Sequence, residues 1–171
     1  MKNTAIIQLS YRYQLAQTTA VLAATMVLPF LIHLLPNING NLAGAVLLPI
    51  FVAPMIATFL FKKHVAILAG IIAPLLNYLI MGHPAPAMVI TLAFEIVAFV
   101  LLLSWLKDLR FIKYLAAPLA FLAASLLVTI GLSLLGRMGE PVSTWLSGVN
   151  IALPGILLLG VINVILVQFK K

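Results

Sequence analysis

The sequence contains no cysteine and few acidic residues, and both shortages exclude classes of function. Without cysteine, the chain cannot form a disulfide, use a thiolate nucleophile or bind a metal through sulfur. Only three of the 171 residues are Asp or Glu, so no acidic cluster for magnesium exists. A phosphate-binding glycine loop, a His-Glu-x-x-His motif and a Gly-x-Ser-x-Gly motif are also missing. We therefore predict a protein that is not an enzyme, needs no cofactor and does not use ATP by itself.

Apolar residues, in contrast, are abundant and fall into six long runs. Hydrophobic residues make up 64% of the chain and charged residues 8%, which is far from the composition of soluble proteins. The runs cover residues 15–35, 42–61, 65–81, 87–106, 114–135 and 149–169. Each is close to the ~20 residues with which a helix crosses the hydrocarbon core of a bilayer. The pattern predicts an all-α integral membrane protein, in which residues 1–171 form one domain of six transmembrane helices.

Nine of the ten Lys and Arg residues lie in alternate gaps between these runs or at the two ends of the chain. They are Lys2, Arg12, Lys62, Lys63, Lys107, Arg110, Lys113, Lys170 and Lys171. By the positive-inside rule, both termini are predicted to be cytoplasmic, in the inner (cytoplasmic) membrane of a cell. The segments 37–41, 82–86 and 136–144 then face outward. The net charge of +7 is accounted for by anionic lipid next to these short segments, so no nucleic-acid partner is predicted.

Glu95 is the one acidic residue inside a predicted span. It lies eight residues from Ala87 at the outer end of its span, which is a depth of about 12 Å in a helix. A carboxylate there is costly unless it is paired, protonated or hydrated. Three roles stay open from the sequence: Glu95 binds a ligand, carries a proton, or forms a hydrogen bond to a neighbouring helix. The default for ionisable groups within a membrane is a functional role.

Other polar side chains collect at the same outer level of the predicted bundle. They are His33, Asn77 and Asn150 near the outer ends of spans, with Asn37, Asn41 and His83 in the outer loops. Taken singly, each has a structural explanation in helix-end or turn hydrogen bonding. Together with Glu95 they predict an outward-facing pocket for a small polar molecule. No metal is predicted, because His64 lies on the other side and His33 and His83 have no ligand spacing.

A stripe of alanines runs along the first span, at Ala16, Ala20 and Ala24. Small residues at every fourth position let another helix approach closely. An equal stripe, Ala116, Ala120 and Ala124, occurs in the fifth span. The spacing alone does not distinguish an internal contact from a contact with another subunit.

These features together resemble the substrate-binding S component of an energy-coupling factor transporter, and the resemblance covers nearly the whole chain. It rests on the six spans, the alanine stripe and the outer loop Leu35-Pro36-Asn37-Ile38-Asn39-Gly40-Asn41. Pro74-x-x-Asn77 leading to Gly82-His83-Pro84, and the ending from Ser147-Gly148 through Leu153-Pro154-Gly155 to Lys170-Lys171, also contribute.

The resemblance implies a membrane subunit that captures a vitamin-like solute from outside with high affinity. Import would then require a transmembrane T component and two cytoplasmic ATPases, and Ala16, Ala20 and Ala24 would contact the T component. The polar outer residues would line the pocket, and Glu95 would recognise a cationic or amino-bearing part of the ligand. Two departures matter. The terminal Met-His motif of nickel and cobalt members is missing, and aromatic residues are few, with Trp145 and Phe94 as the candidate stacking partners.

Two other classes of function fit the same spans. A structural membrane protein that anchors a cell-envelope assembly would use Glu95 as a hydrogen bond between helices and the outer asparagines as turns. A small proton-coupled carrier would use Glu95 as its proton site, although the spans contain no second acidic group to relay protons.

Overall fold

The computed structural model describes residues 2–82 and 84–169, with the side chains of residues 12–80 and 84–169. Its helices are α1 Lys2–His33, α2 Ala43–Leu47, α3 Pro49–Leu60, α4 Lys63–Met81, α5 Pro86–Leu106, α6 Ala116–Leu134 and α7 Pro141–Phe169, with a short 3-10 helix, Ile112–Leu115, before α6. These residues contain no strand beyond an isolated bridge between Ile38 and Asn41. In this part of the chain, six segments are long and apolar enough to span a membrane. The protein is therefore an all-α, multi-pass membrane protein, as the apolar runs predict.

The start of α7 differs from the predicted span, because hydropathy does not mark where a helix begins. The predicted span starts at residue 149, whereas α7 starts at Pro141. The Glu140 carboxylate accepts hydrogen bonds from the N–H groups of Val142 (3.1 Å) and Ser143 (2.6 Å). Proline is favoured at the first helical position, and a carboxylate there caps free N–H groups. The backbone hydrogen bond from Ser143 lowers the pKa of Glu140, which favours the charge that suits a helix N-terminus.

The second predicted span is the centre of the bundle. Of the Ala43–Leu60 window 61% is buried, against 17% to 39% for the other spans, and α1, α4, α5 and α7 all pack against α3. Phe51 of α3 makes edge-to-face contacts with Phe99 of α5 (5.3 Å between centroids) and Phe121 of α6 (5.1 Å). The neighbouring pairs α1–α4, α4–α5, α5–α6 and α6–α7 form a layer around it.

This central span is broken into α2 and α3 at Leu48. Leu48 has φ 53° and ψ 41°, the left-handed conformation that costs a branched residue about 1–2 kcal/mol. The next residue is Pro49, which disfavours the right-handed helical conformation of the residue before it and lacks an N–H group. The break also packs closely on α7, because a Cβ atom added to Gly155 would lie 2.7 Å from the carbonyl oxygen of Val46. The sequence prediction of one continuous second helix therefore missed a break.

Prolines in the spans free backbone carbonyls, and buried asparagines from neighbouring helices bind two of them. Pro118 has no N–H group for the carbonyl of Tyr114, four residues earlier. The amide nitrogen of Asn163, in α7, donates to the carbonyls of Tyr114 (2.9 Å) and Lys113 (2.8 Å). The Asn163 Oδ1 atom accepts from the N–H of Ala117 at 3.3 Å. Asn163, fully buried, thus completes the start of α6.

We expect Asn163→Ala to destabilise the protein by about 2–4 kcal/mol. The change leaves two partly buried carbonyls and one buried N–H group without this partner, at roughly 1 kcal/mol each. Thermal unfolding of the protein in detergent measures the loss. Asn150→Ala is the matched control, because Asn150 is exposed on the same helix and should change stability by less than about 0.5 kcal/mol. Equal unfolding temperatures for the two variants would contradict this role for Asn163.

Basic residues that form polar contacts between helices lie at one end of the bundle, which we call the basic end. His64 Nε2 lies 3.3 Å from Gln14 Oε1, and Lys107 Nζ donates to the Thr58 carbonyl at the end of α3 (2.7 Å). Lys113 lies at the same end, where its carbonyl accepts a hydrogen bond from the Asn163 amide. The other end of the bundle is called the opposite end below. The predicted cytoplasmic position of the basic end stays a prediction.

Candidate functional site

A cavity of about 600 Å³ lies at the opposite end of the bundle, and all seven α-helices contribute to its wall. Its lining comes from the last turns of α1, the break in the central span, and the halves of α4 to α7 far from the basic end. Most of the lining is apolar, as in typical small-molecule sites of about 300–1,000 Å³. The polar lining residues are His33, Asn77, Thr91, Glu95, Ser125, Thr129, Thr144 and Trp145.

Glu95 lies in α5 and its half-buried side chain lines this cavity. In the part of the chain that the structure describes, no hydrogen-bond donor and no basic side chain contacts its carboxylate. A carboxyl group without a protein partner, inside a membrane span, is a costly arrangement that a bound molecule or water would relieve. The structure therefore brings the predicted key residue to a cavity wall.

Asn77 reaches the same cavity from α4, and only half of its amide group is bonded. Pro29 has no N–H group for the carbonyl of Thr25, and the Asn77 Nδ2 atom donates to this carbonyl (3.4 Å). The side chain is 3% exposed. Its Oδ1 atom is buried and has no hydrogen-bond partner in the described residues. Asn77 thus has a structural role through Nδ2, and its Oδ1 acceptor stays unbonded beside the cavity that the residue lines.

His33 lies where the end of α1 meets α2. Its imidazole ring is so close to Gly44 that an added Cβ atom there would be 2.9 Å from Cε1. Both residues line the cavity, together with Leu48 at the break. A side chain at position 44 would therefore require the ring of His33 to shift.

Trp145 forms an aromatic part of the wall and is held in one orientation. Its indole N–H donates to Ser125 Oγ (3.0 Å), and Ser125 Oγ donates to the Leu122 carbonyl (3.1 Å). Phe51 and Phe121 also line the cavity. The predicted stacking role is geometrically available to Trp145, whereas Phe94 is 67% exposed and does not line the cavity.

Three other predicted ligand residues, Asn37, Asn41 and Asn150, do not line the cavity. Asn37 and Asn150 are exposed, and Asn41 takes part in a tight turn in which its Nδ2 atom donates to the carbonyl of Asn39 (3.3 Å). His83 lies outside the described residues. Binding roles for these four residues stay predictions, and of the predicted set the structure brings together Glu95, Asn77 and His33.

The two alanine stripes differ in their burial. Ala116, Ala120 and Ala124 of α6 are fully buried, so that stripe is an internal contact. Ala16 and Ala20 of α1 are exposed on the outside of the fold. Ala24 is half-buried and packs against the core. A helix from another protein could therefore approach Ala16 and Ala20 but would reach Ala24 only in part.

Sequence reasoning missed several polar groups of the wall. Ser125, Thr129 and Thr144 line the cavity, although Ser125 and Thr129 lie inside an apolar run and Thr144 lies in the predicted outer segment 136–144. The helical periodicity of α6 does place Ser125 and Thr129 on one face, four residues apart. That spacing is a weak signal, because hydroxyl side chains in membrane helices commonly bond to their own backbone.

Among the described residues, no three His, Cys, Asp or Glu side chains are placed to hold a metal ion. A comparison of the chain with protein-family models, curated proteins and solved structures found no match.

Proposed function

We propose that the protein is the solute-binding subunit of an energy-coupling factor transporter, and that it captures a small vitamin-like molecule from outside the cell. The observation that carries the proposal is the carboxylate of Glu95, which lines a cavity of about 600 Å³ without a partner among the described residues. A membrane anchor would need no such cavity, and its Glu95 would bond to a neighbouring helix. A cavity with an unpaired polar group favours a binding function instead.

In this proposal the basic end faces the cytoplasm of the inner membrane, as the positive-inside rule predicts. The cavity then faces outward, where a scarce solute is captured. The chain contains no nucleotide-binding motif, so the energy for import comes from two cytoplasmic ATPase subunits through a transmembrane T component. The exposed Ala16 and Ala20 provide a surface on which a helix of that component can pack closely.

The direct test is native mass spectrometry of protein purified gently from its membrane. A small metabolite bound in a one-to-one ratio is the expected result, because a high-affinity site releases its ligand slowly. Protein that carries no metabolite, and whose melting temperature no member of a vitamin panel raises, would contradict the proposal.

We expect Glu95→Gln to weaken binding of this metabolite at least tenfold, about 1.4 kcal/mol. Glutamine keeps the volume of the side chain but loses its charge, so the fold should be preserved. Isothermal titration with wild type and variant measures the change. Glu140→Gln is the control, because Glu140 is exposed and does not line the cavity. Equal affinities for wild type and Glu95→Gln would exclude the role of Glu95.

A further inference from the structure

Most polar hydrogens of the cavity wall are already used within the protein. Thr129 Oγ1 donates to the Ser125 carbonyl (2.8 Å), and Thr144 Oγ1 donates to the Glu140 carbonyl (2.8 Å). The hydroxyl of Ser125 and the indole N–H of Trp145 are bonded as described above. A ligand therefore finds few donors on this wall.

Among the described lining residues, the groups without a hydrogen-bond partner are the Glu95 carboxylate and Asn77 Oδ1, which are acceptors, and the Thr91 hydroxyl, which can donate or accept. Glu95 offers carboxylate oxygens at the cavity wall, and Asn77, another lining residue, has a buried Oδ1 without a partner. The orientation of the Asn77 amide is fixed by its neighbour. If the amide were turned over, Oδ1 would face the Thr25 carbonyl, and two acceptors would meet. The unpaired atom is therefore an oxygen.

The charged groups of the wall also favour a ligand that donates hydrogen bonds. The described lining residues include Glu95 and no Lys or Arg. A carboxylate or phosphate placed beside Glu95 would meet another carboxyl group and no Lys or Arg, which is unfavourable in a site of low dielectric. An N–H group of a ligand would instead satisfy Glu95 or Asn77, and charge-assisted hydrogen bonds are the stronger ones.

We propose that the ligand of this cavity is a solute with an apolar or aromatic body and an amino or protonated-nitrogen group, which donates to Glu95 and to Asn77 Oδ1. The ligand carries no carboxylate or phosphate at that end. Trp145, whose N–H is bonded to Ser125, contributes the face of its ring, and this face suits a flat cationic or amino-substituted ring. The inference rests on the proposed function, because it assumes that the cavity binds a solute.

The test uses probe series whose members share a body and differ in one group. Pyridoxamine, pyridoxine and 4-pyridoxate carry an amine, an alcohol and an acid on one ring. Tryptamine and indole-3-propionate carry an amine and an acid on a second body. The melting temperature of the purified full chain is measured with each probe, and dissociation constants follow for the probes that raise it. The charge class of any co-purified metabolite is determined by mass spectrometry of an extract.

In a series that binds, we expect the amine to bind at least tenfold more tightly than the acid, and the metabolite to carry an amino or cationic group. Glu95→Gln should bring the ratio of amine to acid affinity close to one, whereas Glu140→Gln should leave it unchanged. A metabolite recognised through a carboxylate, or tighter binding of the acids, would overturn this inference and leave solute capture intact. If neither a metabolite nor any probe binds, the proposed function fails, and the inference fails with it.

Discussion

Gly155→Val is expected to destabilise the protein by about 3 kcal/mol or more, so that little folded protein is recovered from the membrane. A Cβ atom at this position would lie 2.7 Å from the Val46 carbonyl oxygen, and 2.8 Å from both the Leu47 carbonyl carbon and Leu48 Cγ. Backbone atoms at a helix break cannot rotate away as a flexible side chain can, and overpacking in a core typically costs about 1–3 kcal/mol. Valine adds two more methyl groups to this contact.

The measurement is the unfolding temperature in detergent, with recovery in size-exclusion chromatography. Gly131→Val is the matched control, because nothing lies within 4 Å of a Cβ atom at Gly131, and it should unfold at the wild-type temperature. The milder Gly155→Ala should fold but move the break. Since Leu48 lines the cavity, this variant should bind the co-purified metabolite less tightly. Wild-type stability of Gly155→Val would show that α7 and the break are not in close contact.

The number of spans and their approximate positions follow from the sequence because they depend on hydropathy and length. The break at Leu48 does not follow, although Pro49 can be seen in the sequence. Prolines elsewhere in the spans, such as Pro29, Pro74 and Pro154, lie inside continuous helices. Whether a proline bends or interrupts a helix depends on which neighbour binds the freed carbonyl, and this is a tertiary contact.

The sequence predicts the depth of the candidate site residues in the membrane, but not whether their side chains face the interior of the bundle. Counting residues along a span gives the level of a side chain in the membrane, so Glu95 and Asn77 were expected at the level at which the cavity lies. Counting does not give the side of the helix that faces the interior. Asn150 is at the same level, but it is exposed while its neighbours Val149 and Ile151 line the cavity, because successive helical residues point about 100° apart.

The buried asparagines illustrate the same limit. Asn163 lies in the middle of an apolar run and carries no signal of function. Its three hydrogen bonds become predictable only once α7 is known to pack against the start of α6. Asn77 was expected to bind a ligand, and the structure adds a second role, in which its Nδ2 atom binds the carbonyl that Pro29 frees. One side chain can therefore stabilise a helix pair and present an acceptor to a guest.

Ala20→Leu is expected to abolish uptake of the metabolite by whole cells while binding by the isolated chain stays within twofold of wild type. Ala20 is exposed on α1 and does not line the cavity, so a larger side chain there disturbs neither the fold nor the site. If a helix of the T component packs on this stripe, the three carbon atoms that leucine adds would push the two helices apart, and small-residue interfaces do not tolerate that. Uptake of labelled metabolite and titration of purified protein measure the two properties separately.

Two alanines provide the controls that decide what this result means. Ala87→Leu, exposed near the start of α5 and outside the cavity lining, should preserve both uptake and binding. Ala120→Leu, fully buried in the stripe of α6, should lose both, because overpacking of the core destabilises the fold. Of the three variants, only Ala20→Leu in α1 is therefore expected to lose uptake and keep binding. If Ala20→Leu also loses binding, the α1 stripe packs internally, and if it keeps uptake, the T component binds another surface.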